Sequence, residues 1–281
     1  MDFSKYHGAG NDFVLIDDRQ NQFPNTDSAL VAALCSPHTG IGADGLILIR
    51  LHTEADFEML YYNADGKPGS LCGNGARCAA SFANSIGACG NNTKFMAFDG
   101  LHTAEITAGY VSISMADIDL AGIRKRDKNS YFLDTGSPHL VLFTDKMPDA
   151  AKVQKEGSKL RHSAEFAEVN GTNVNFISSG VKKHNKASES VPDLLTDKAL
   201  QIRTFERGVE AETLSCGTGV TAAAAVHYLR TEQSRVSIAA IGGVLHVSFR
   251  PEADRLSNVI LSGPVKLVFS GTAELSAFQT A

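Results

Sequence analysis

The chain lacks any stretch long and apolar enough to span a membrane. Its longest strongly apolar run, near Val220–Val226, falls far short of the roughly 20 residues a spanning helix needs. The start, MDFSKYHGAGNDF, has no basic region followed by an apolar run, so no secretory signal is expected and a cytoplasmic location is. A basic excess is also missing. The 26 Lys and Arg residues stand against 31 Asp and Glu, a net charge of −5. That argues against a general nucleic-acid binder, which needs a basic face, but leaves room for a local anion pocket. Cysteine is scarce: Cys35, Cys72, Cys78, Cys89 and Cys216 make an odd number, and none are spaced as CxxC. This excludes the usual patterns of a disulfide scaffold and of a zinc ribbon. Tryptophan is absent. What is present, 43% apolar and 20% charged residues in 281, is ordinary for a core-forming protein and rules out a disordered chain. At roughly 100–200 residues per domain, the length fits one large domain or two small ones.

Apolar and alternating runs bounded by Gly, Asn and Asp predict strands at Phe13–Asp17, Leu46–Arg50, Phe57–Tyr61, His102–Ile106, Tyr110–Met115 and Val244–Phe249. Leu140–Phe143, Val174–Ser178, Ile202–Phe205 and Val265–Phe269 are further strand candidates. Helices are predicted at Ser28–Cys35, Gly75–Ile86, Pro148–Lys159 and Thr218–Arg230. The second and fourth are rich in alanine, the best helix former.

The chain reads as two halves of one plan. GAGNDFVLID at Gly8–Asp17 resembles TGSPHLVLFTD at Thr135–Asp145, each a glycine-containing turn feeding an apolar strand. Cys72-Gly73-Asn74-Gly75 and Cys216-Gly217-Thr218-Gly219 both read C-G-x-G, and both open an alanine-rich helix. Tandem duplication of one strand-rich unit with a central helix accounts for this. The join falls near residues 117–130, where the sequence is polar and turn-rich.

A cysteine just before a helix sits at the positive end of the helix dipole, which favours the thiolate. The glycines after it permit close backbone approach and leave N–H groups for a carboxylate or phosphate. One C-G-x-G has a plain reading as a structural cysteine; its repetition at matched helix starts is what favours chemistry. Two thiols on opposite sides of one carbon suit a stereoinversion, one removing a proton and the other returning one to the opposite face. The helix starts would hold the adjoining carboxylate and offset the developing charge. Cys35, Cys78 and Cys89 have no such setting and read as packing residues. Asn11, Asn63 and Asn173 lie at glycine-containing turns, where Asn is ordinarily a turn former. Glu206-Arg207 at a strand end is ordinarily a solvated pair, yet it suits a ligand with both a carboxylate and an ammonium group. His139 follows Pro138 at a strand start.

In order along the chain come Phe3-Ser4-Lys5-Tyr6-His7-Gly8-Ala9-Gly10-Asn11-Asp12-Phe13, Gly40-Ile41-Gly42-Ala43-Asp44-Gly45 and Asn63-Ala64-Asp65-Gly66. They are followed by Cys72-Gly73-Asn74-Gly75-Ala76-Arg77-Cys78, Glu206-Arg207-Gly208 and Glu212-Thr213-Leu214-Ser215-Cys216-Gly217-Thr218-Gly219. Together these resemble the diaminopimelate epimerases, cofactor-independent enzymes of bacterial lysine and cell-wall precursor synthesis, over roughly residues 3–270. The resemblance implies an α+β fold of two similar domains, each a curved, barrel-like mixed sheet around a central helix, with an active-site cleft between them. The halves would be residues 1–120 and 121–262, with a strand at about 263–275 returning to the first. Cys72 and Cys216 would be the acid/base pair, with His139 and Glu206 helping to set their protonation. Backbone amides at Gly73, Asn74, Gly217 and Thr218 would hold the carboxylate beside the reacting carbon. Asn11, Asn63, Asn173 and Arg207 would bind polar ends of the substrate, and Glu206 the distal ammonium. The implied partner is a small diamino dicarboxylate, with no nucleic acid and no membrane. Neither pyridoxal phosphate nor a metal is implied, and the family is commonly homodimeric.

Three departures stand out: Ser137 where the family often has Asn, Gly45 where some members have Gln, and a longer, more acidic turn at Gly208–Glu212. None touches the thiol pair. The nearest rival is a proline or hydroxyproline racemase, also a two-cysteine enzyme. A hydrophobic imino acid has no need of Glu206, Arg207, Asn63 and Asn173. Isomerases of this fold that lack the thiols are disfavoured by Cys72 and Cys216. A non-catalytic amino-acid binder would tolerate Ser at both positions, and a cysteine hydrolase has no use for a second thiol.

Overall fold

Unbroken apolar runs such as Phe13–Ile16 and Leu46–Ile49 suit strands covered on both faces. The computed structural model, which describes residues 1–179 and 199–278, places them so. The chain runs β1 (Asp2–Gly8), β2 (Asn11–Asp17), α1 (Ser28–Cys35), β3 (Gly45–Arg50), β4 (Phe57–Asn63), α2 (Gly73–Ser85), β5 (Asn92–Ala97), β6 (Gly100–Thr107) and β7 (Tyr110–Ser114). Then come β8 (Ile118–Asp119), β9 (Arg124–Lys125), β10 (Ser130–Asp134), β11 (Pro138–Phe143), α3 (Ala150–Arg161), β12 (Asn173–Ser178), β13 (Leu200–Glu206) and β14 (Ala211–Thr213). Last are α4 (Gly217–Thr231), β15 (Arg235–Ala240), β16 (Gly243–Pro251) and the long β17 (Arg255–Thr272). The chain divides into two units, Met1–Ile113 with the stretch from Pro264 on, and Ser114–Gly263.

In the first unit β1 and β2 form an antiparallel hairpin, β2 runs parallel to β3, β3 antiparallel to β4, and β4 parallel to β5. β5, β6 and β7 continue antiparallel. The end of β17 pairs antiparallel with β1, and β17 also pairs with β7, closing a mixed ring of eight strands. Val14, Ile16, Leu46 and Leu48 pack against Leu30, Val31 and Leu34 of α1. The alternate residues Phe13 and Ile47 reach Gly75 of α2 on the other face. The core helix α2 packs on β1, β2, β3, β4 and β6, and every residue from Gly73 to Ala80 is buried. Small residues are what such a helix requires: glycine and alanine let it fit inside a ring of strands.

The second unit repeats this order. β10 and β11 form the hairpin, β11 runs parallel to β12 through α3, and β12 antiparallel to β13. β13 is parallel to β15 through α4, and β15, β16 and the first part of β17 continue antiparallel. Leu140, Val174, Phe176 and Phe205 form a core with Val153 of α3 and with Phe166. The fold is therefore the expected α+β class of two similar domains, each a curved mixed sheet around a central helix. The central helices begin earlier than their sequence patterns suggest, α2 by two residues at Gly73 and α4 by one at Gly217, so Cys72 and Cys216 are themselves the N-caps, both with extended backbone.

Candidate active site

As N-caps the two cysteines have the same backbone setting, each in its own unit. The Cys72 carbonyl accepts from Ala76 N–H (2.8 Å) and the Cys216 carbonyl from Val220 N–H (2.9 Å). No helical carbonyl is available to the N–H groups of Gly73, Asn74 and Gly75, nor to those of Gly217, Thr218 and Gly219. Each start thus presents donors at the positive end of a buried helix.

In the first unit, Asn11 at the start of β2 donates from Nδ2 to Asp44 Oδ2 (2.6 Å). Its Oδ1 therefore faces the helix start, 3.5 Å from Cys72 Sγ and 3.4 Å from Asn74 Nδ2. Lys5 pairs with Asp12 beside it at 2.6 Å. Beneath Asn74 lies Arg77, which is fully buried. It donates from Nη2 to Asn74 Oδ1 (2.8 Å) and from Nη1 to the Gly73 carbonyl (3.2 Å). Burial lowers its pKa, but a guanidinium stays protonated. Burial pushes the neighbouring Tyr110 up to about 12 and raises Cys78 further still, so both are neutral. Asn63 stands apart from this network at the exposed end of β4, where the Tyr61 hydroxyl donates to its Oδ1 (3.0 Å).

In the second unit the predicted residues are tied together more closely. His139 and Asn175 are fully buried and Asn173 and Thr204 nearly so. His139 Nε2 lies 2.9 Å from Thr218 Oγ1 and 3.0 Å from Ser137 Oγ. Its Nδ1 lies 3.0 Å from Asn175 Nδ2. Thr218 Oγ1 is 3.5 Å from Cys216 Sγ. Burial first, then the Arg207 charge, brings His139 down to about 3, so it is neutral at ordinary pH. Asn173 donates to the Pro138 carbonyl (3.0 Å) and accepts from Arg207 N–H (2.8 Å), fixing the backbone that carries Arg207. The Arg207 guanidinium donates to the Val169 carbonyl (3.0 Å). Glu206 ends β13 and accepts from the Thr213 hydroxyl (2.8 Å).

Three participants were not singled out for a role from sequence: Arg77, Asn175 and Thr204. Asn175 had a usable signal, since a second Asn two residues after Asn173 in an otherwise apolar strand shares its face. Arg77 had one too, as a charge inside an alanine-rich helix that is otherwise buried. Among the described residues no cluster of His, Cys, Asp and Glu is arranged to hold a metal. No helix among them is long and apolar enough to cross a membrane.

This pair of similar sheet-and-helix units defines a class of fold that solved structures share. A Bacillus anthracis phenazine biosynthesis protein of the PhzF family superposes with a TM-score of 0.69 at 11% identity, covering 96% of this chain and 98% of the other. A probable proline racemase from Agrobacterium radiobacter gives 0.64 at 15% identity, covering 100% and 96%. Within that class the sequence is specific. The family model for diaminopimelate epimerase matches residues 3–116 and 131–268. A diaminopimelate epimerase from Flavobacterium psychrophilum is 41% identical over 275 residues, 97% of this chain and 100% of that protein. The chain belongs to the diaminopimelate epimerase family and is an isomerase of the epimerase type.

Proposed function

We propose that the chain interconverts LL- and meso-diaminopimelate by proton transfer between two thiols and the α-carbon, without a cofactor. The observation that carries this is the matched placement of Cys72 and Cys216 as N-caps of the two buried central helices. One sulfur, as thiolate, takes the α-proton. The electron pair left on carbon is stabilised by the adjoining carboxylate, whose oxygens accept from the amides of Gly73, Asn74, Gly217 and Thr218. The other sulfur, as thiol, delivers its proton to the opposite face. Nothing is oxidised or reduced; the two sulfurs exchange protonation states.

At the far end of the substrate, Glu206 takes the distal ammonium and Arg207 the distal carboxylate, with Asn11 and Asn63 on other polar groups. Asn173 serves the same end, at the least through the Arg207 backbone it holds. Fork-shaped recognition by Arg explains a preference for a dicarboxylate over proline. The reading places the protein in the cytoplasm, as a homodimer, in lysine and peptidoglycan precursor synthesis. Incubation of LL-diaminopimelate in deuterated water tests it. Meso product with deuterium at the inverted α-carbon is expected. Inversion without label, or turnover of proline in preference, overturns it.

A further inference from the structure

Leu140 offers Asn175 a carbonyl, which can only accept, and the Asn175 amide atom facing it at 3.1 Å must be Nδ2. The other amide atom agrees, for the Thr204 hydroxyl lies 2.9 Å from Oδ1 and donates to it. With the amide fixed, its second N–H meets His139 Nδ1 at 3.0 Å. A neutral imidazole that accepts at Nδ1 carries its proton on Nε2. That proton faces two hydroxyl oxygens, Thr218 Oγ1 and Ser137 Oγ. Ser137 already accepts from Asn173 Nδ2 (3.4 Å), and its own hydroxyl reaches Thr218 Oγ1 at 3.3 Å. Directly or through Ser137, donation runs toward Thr218, whose proton is then directed to the Cys216 sulfur 3.5 Å away.

We propose that Asn175, backed by Thr204, is a positioning residue for the reaction: it fixes the His139 proton on Nε2, so that the Thr218 hydroxyl donates to Cys216 and stabilises its thiolate. The inference rests on the assignment of Cys216 as one of the two acid/base thiols. It makes His139 a donor in a directed chain and not a base. The close fit supports the role. A Cβ on Gly219 would lie 2.5 Å from Asn175 Oδ1 and 3.3 Å from His139 Cε1, so this glycine lets α4 approach the pair. The first unit differs at this point: Asn74 stands where Thr218 does, and Cys72 lies 3.5 Å from the acceptor Oδ1 of Asn11. Among the described residues the groups packed on His139 are neutral: Leu133 on β10, Asn173 and Asn175 on β12, Thr218 and Gly219 on α4, and Ser137 in the preceding turn. Arg207 is the charge that bears on it, and it disfavours the imidazolium. Glu206, the carboxylate at the end of β13, accepts from the Thr213 hydroxyl.

The test uses the full-length, substrate-free protein. Nitrogen NMR of ¹⁵N-histidine-labelled protein, with the His139 signal assigned by its loss in His139→Asn, reads the tautomer. A proton on Nε2 throughout pH 5–8 is expected; a proton on Nδ1, or an imidazolium, overturns the proposal. Iodoacetamide alkylation against pH, with peptide mapping, reads each thiol. Thr218→Val should move the Cys216 midpoint up by about one pH unit, since a hydrogen bond to the charged form is lost. Cys72 should stay where it is, and Thr218→Ser should restore Cys216. Asn175→Leu should let the His139 proton redistribute to Nδ1 and shift Cys216 in the same direction as Thr218→Val. If that variant fails to fold, the wild-type tautomer and the Thr218 pair still decide. An unmoved Cys216 midpoint in Thr218→Val overturns the proposal. The assay with LL-diaminopimelate is independent: failure to epimerise alongside an Nε2 proton sinks the functional reading and leaves the hydrogen-bond chain standing.

Discussion

His139 lies fully buried against α4, and burial with the Arg207 charge holds its folded-state pKa at about 3. In the unfolded chain a histidine titrates near 6.5. Between those values the unfolded state binds a proton that the folded state does not, so stability rises with pH across the window and falls as the solution is acidified. Going from pH 7 to pH 5 should cost about 2 kcal/mol through this residue. His227 and His246, both lowered by burial, act in the same direction. Urea unfolding at the two pH values should therefore show a smaller pH-dependent loss in His139→Asn than in the wild type, and an equal loss would contradict the neutral assignment. The cysteines sort by setting in the same way. Cys72→Ala and Cys216→Ala should each abolish conversion of LL- to meso-diaminopimelate while leaving a folded protein. Cys78→Ala, at a fully buried site, should keep most of the activity and lose roughly 1 kcal/mol in thermal or urea unfolding.

Gly157 sits in the middle of α3, where alanine would ordinarily gain about 1 kcal/mol of helix stability. Here a Cβ would meet the Cβ of Phe205 at 2.4 Å, so the glycine is what lets α3 lie against the core of the second unit. Gly157→Ala should lower stability by about 1–3 kcal/mol, visible as a drop in Tm, because Phe205 is too well packed to move aside. A rise in Tm would mean the contact is soft. The same contrast between local preference and packing decides which elements were legible in the sequence. All four helices stood out, because each couples apolar or alanine-rich runs to clear ends. The apolar strands β2, β3, β11 and β12 stood out as well. β1, β5, β10 and β15 did not, because polar residues interrupt them. Lys5 in β1 is buried only because Asp12 on the neighbouring strand pairs with it, and Thr93 in β5 only because Asp56 accepts its hydroxyl at 2.7 Å. Such partners lie across the sheet, out of reach of a pattern read along one segment.

The duplication was readable from two C-G-x-G helix starts, and each unit repeats the other's sequence of parallel and antiparallel pairings. The length of β17 was not readable. Pattern read only Val265–Phe269 as a strand and the family resemblance only about residues 263–275, so Arg255–Ser262 went unread up to Gly263-Pro264. In the fold these two residues lie inside one strand of 18 residues, at the place where it leaves β16 and takes up β1. The pairing with β1 runs from Gly8↔Val265 to Asp2↔Thr272. It is closed at its end by reciprocal bonds between Met1 and Ala273, 2.9 Å from the terminal amine and 2.8 Å to the Met1 carbonyl. Phe269 adds an edge-on contact with Phe3. A chain ending after Gly263 would lose the strand that closes the ring of the first unit and would leave β1 as an open edge, a template for pairing between molecules. Such a truncation should lose soluble yield and, in whatever remains soluble, should show fast amide exchange in β1 and β2. The second unit keeps its own β16–β17 pairing from His246↔Ser262 to Pro251↔Leu256 and should stay protected. Equal protection of β1 in the truncated and full-length proteins would mean that the ring does not depend on β17 for its closure.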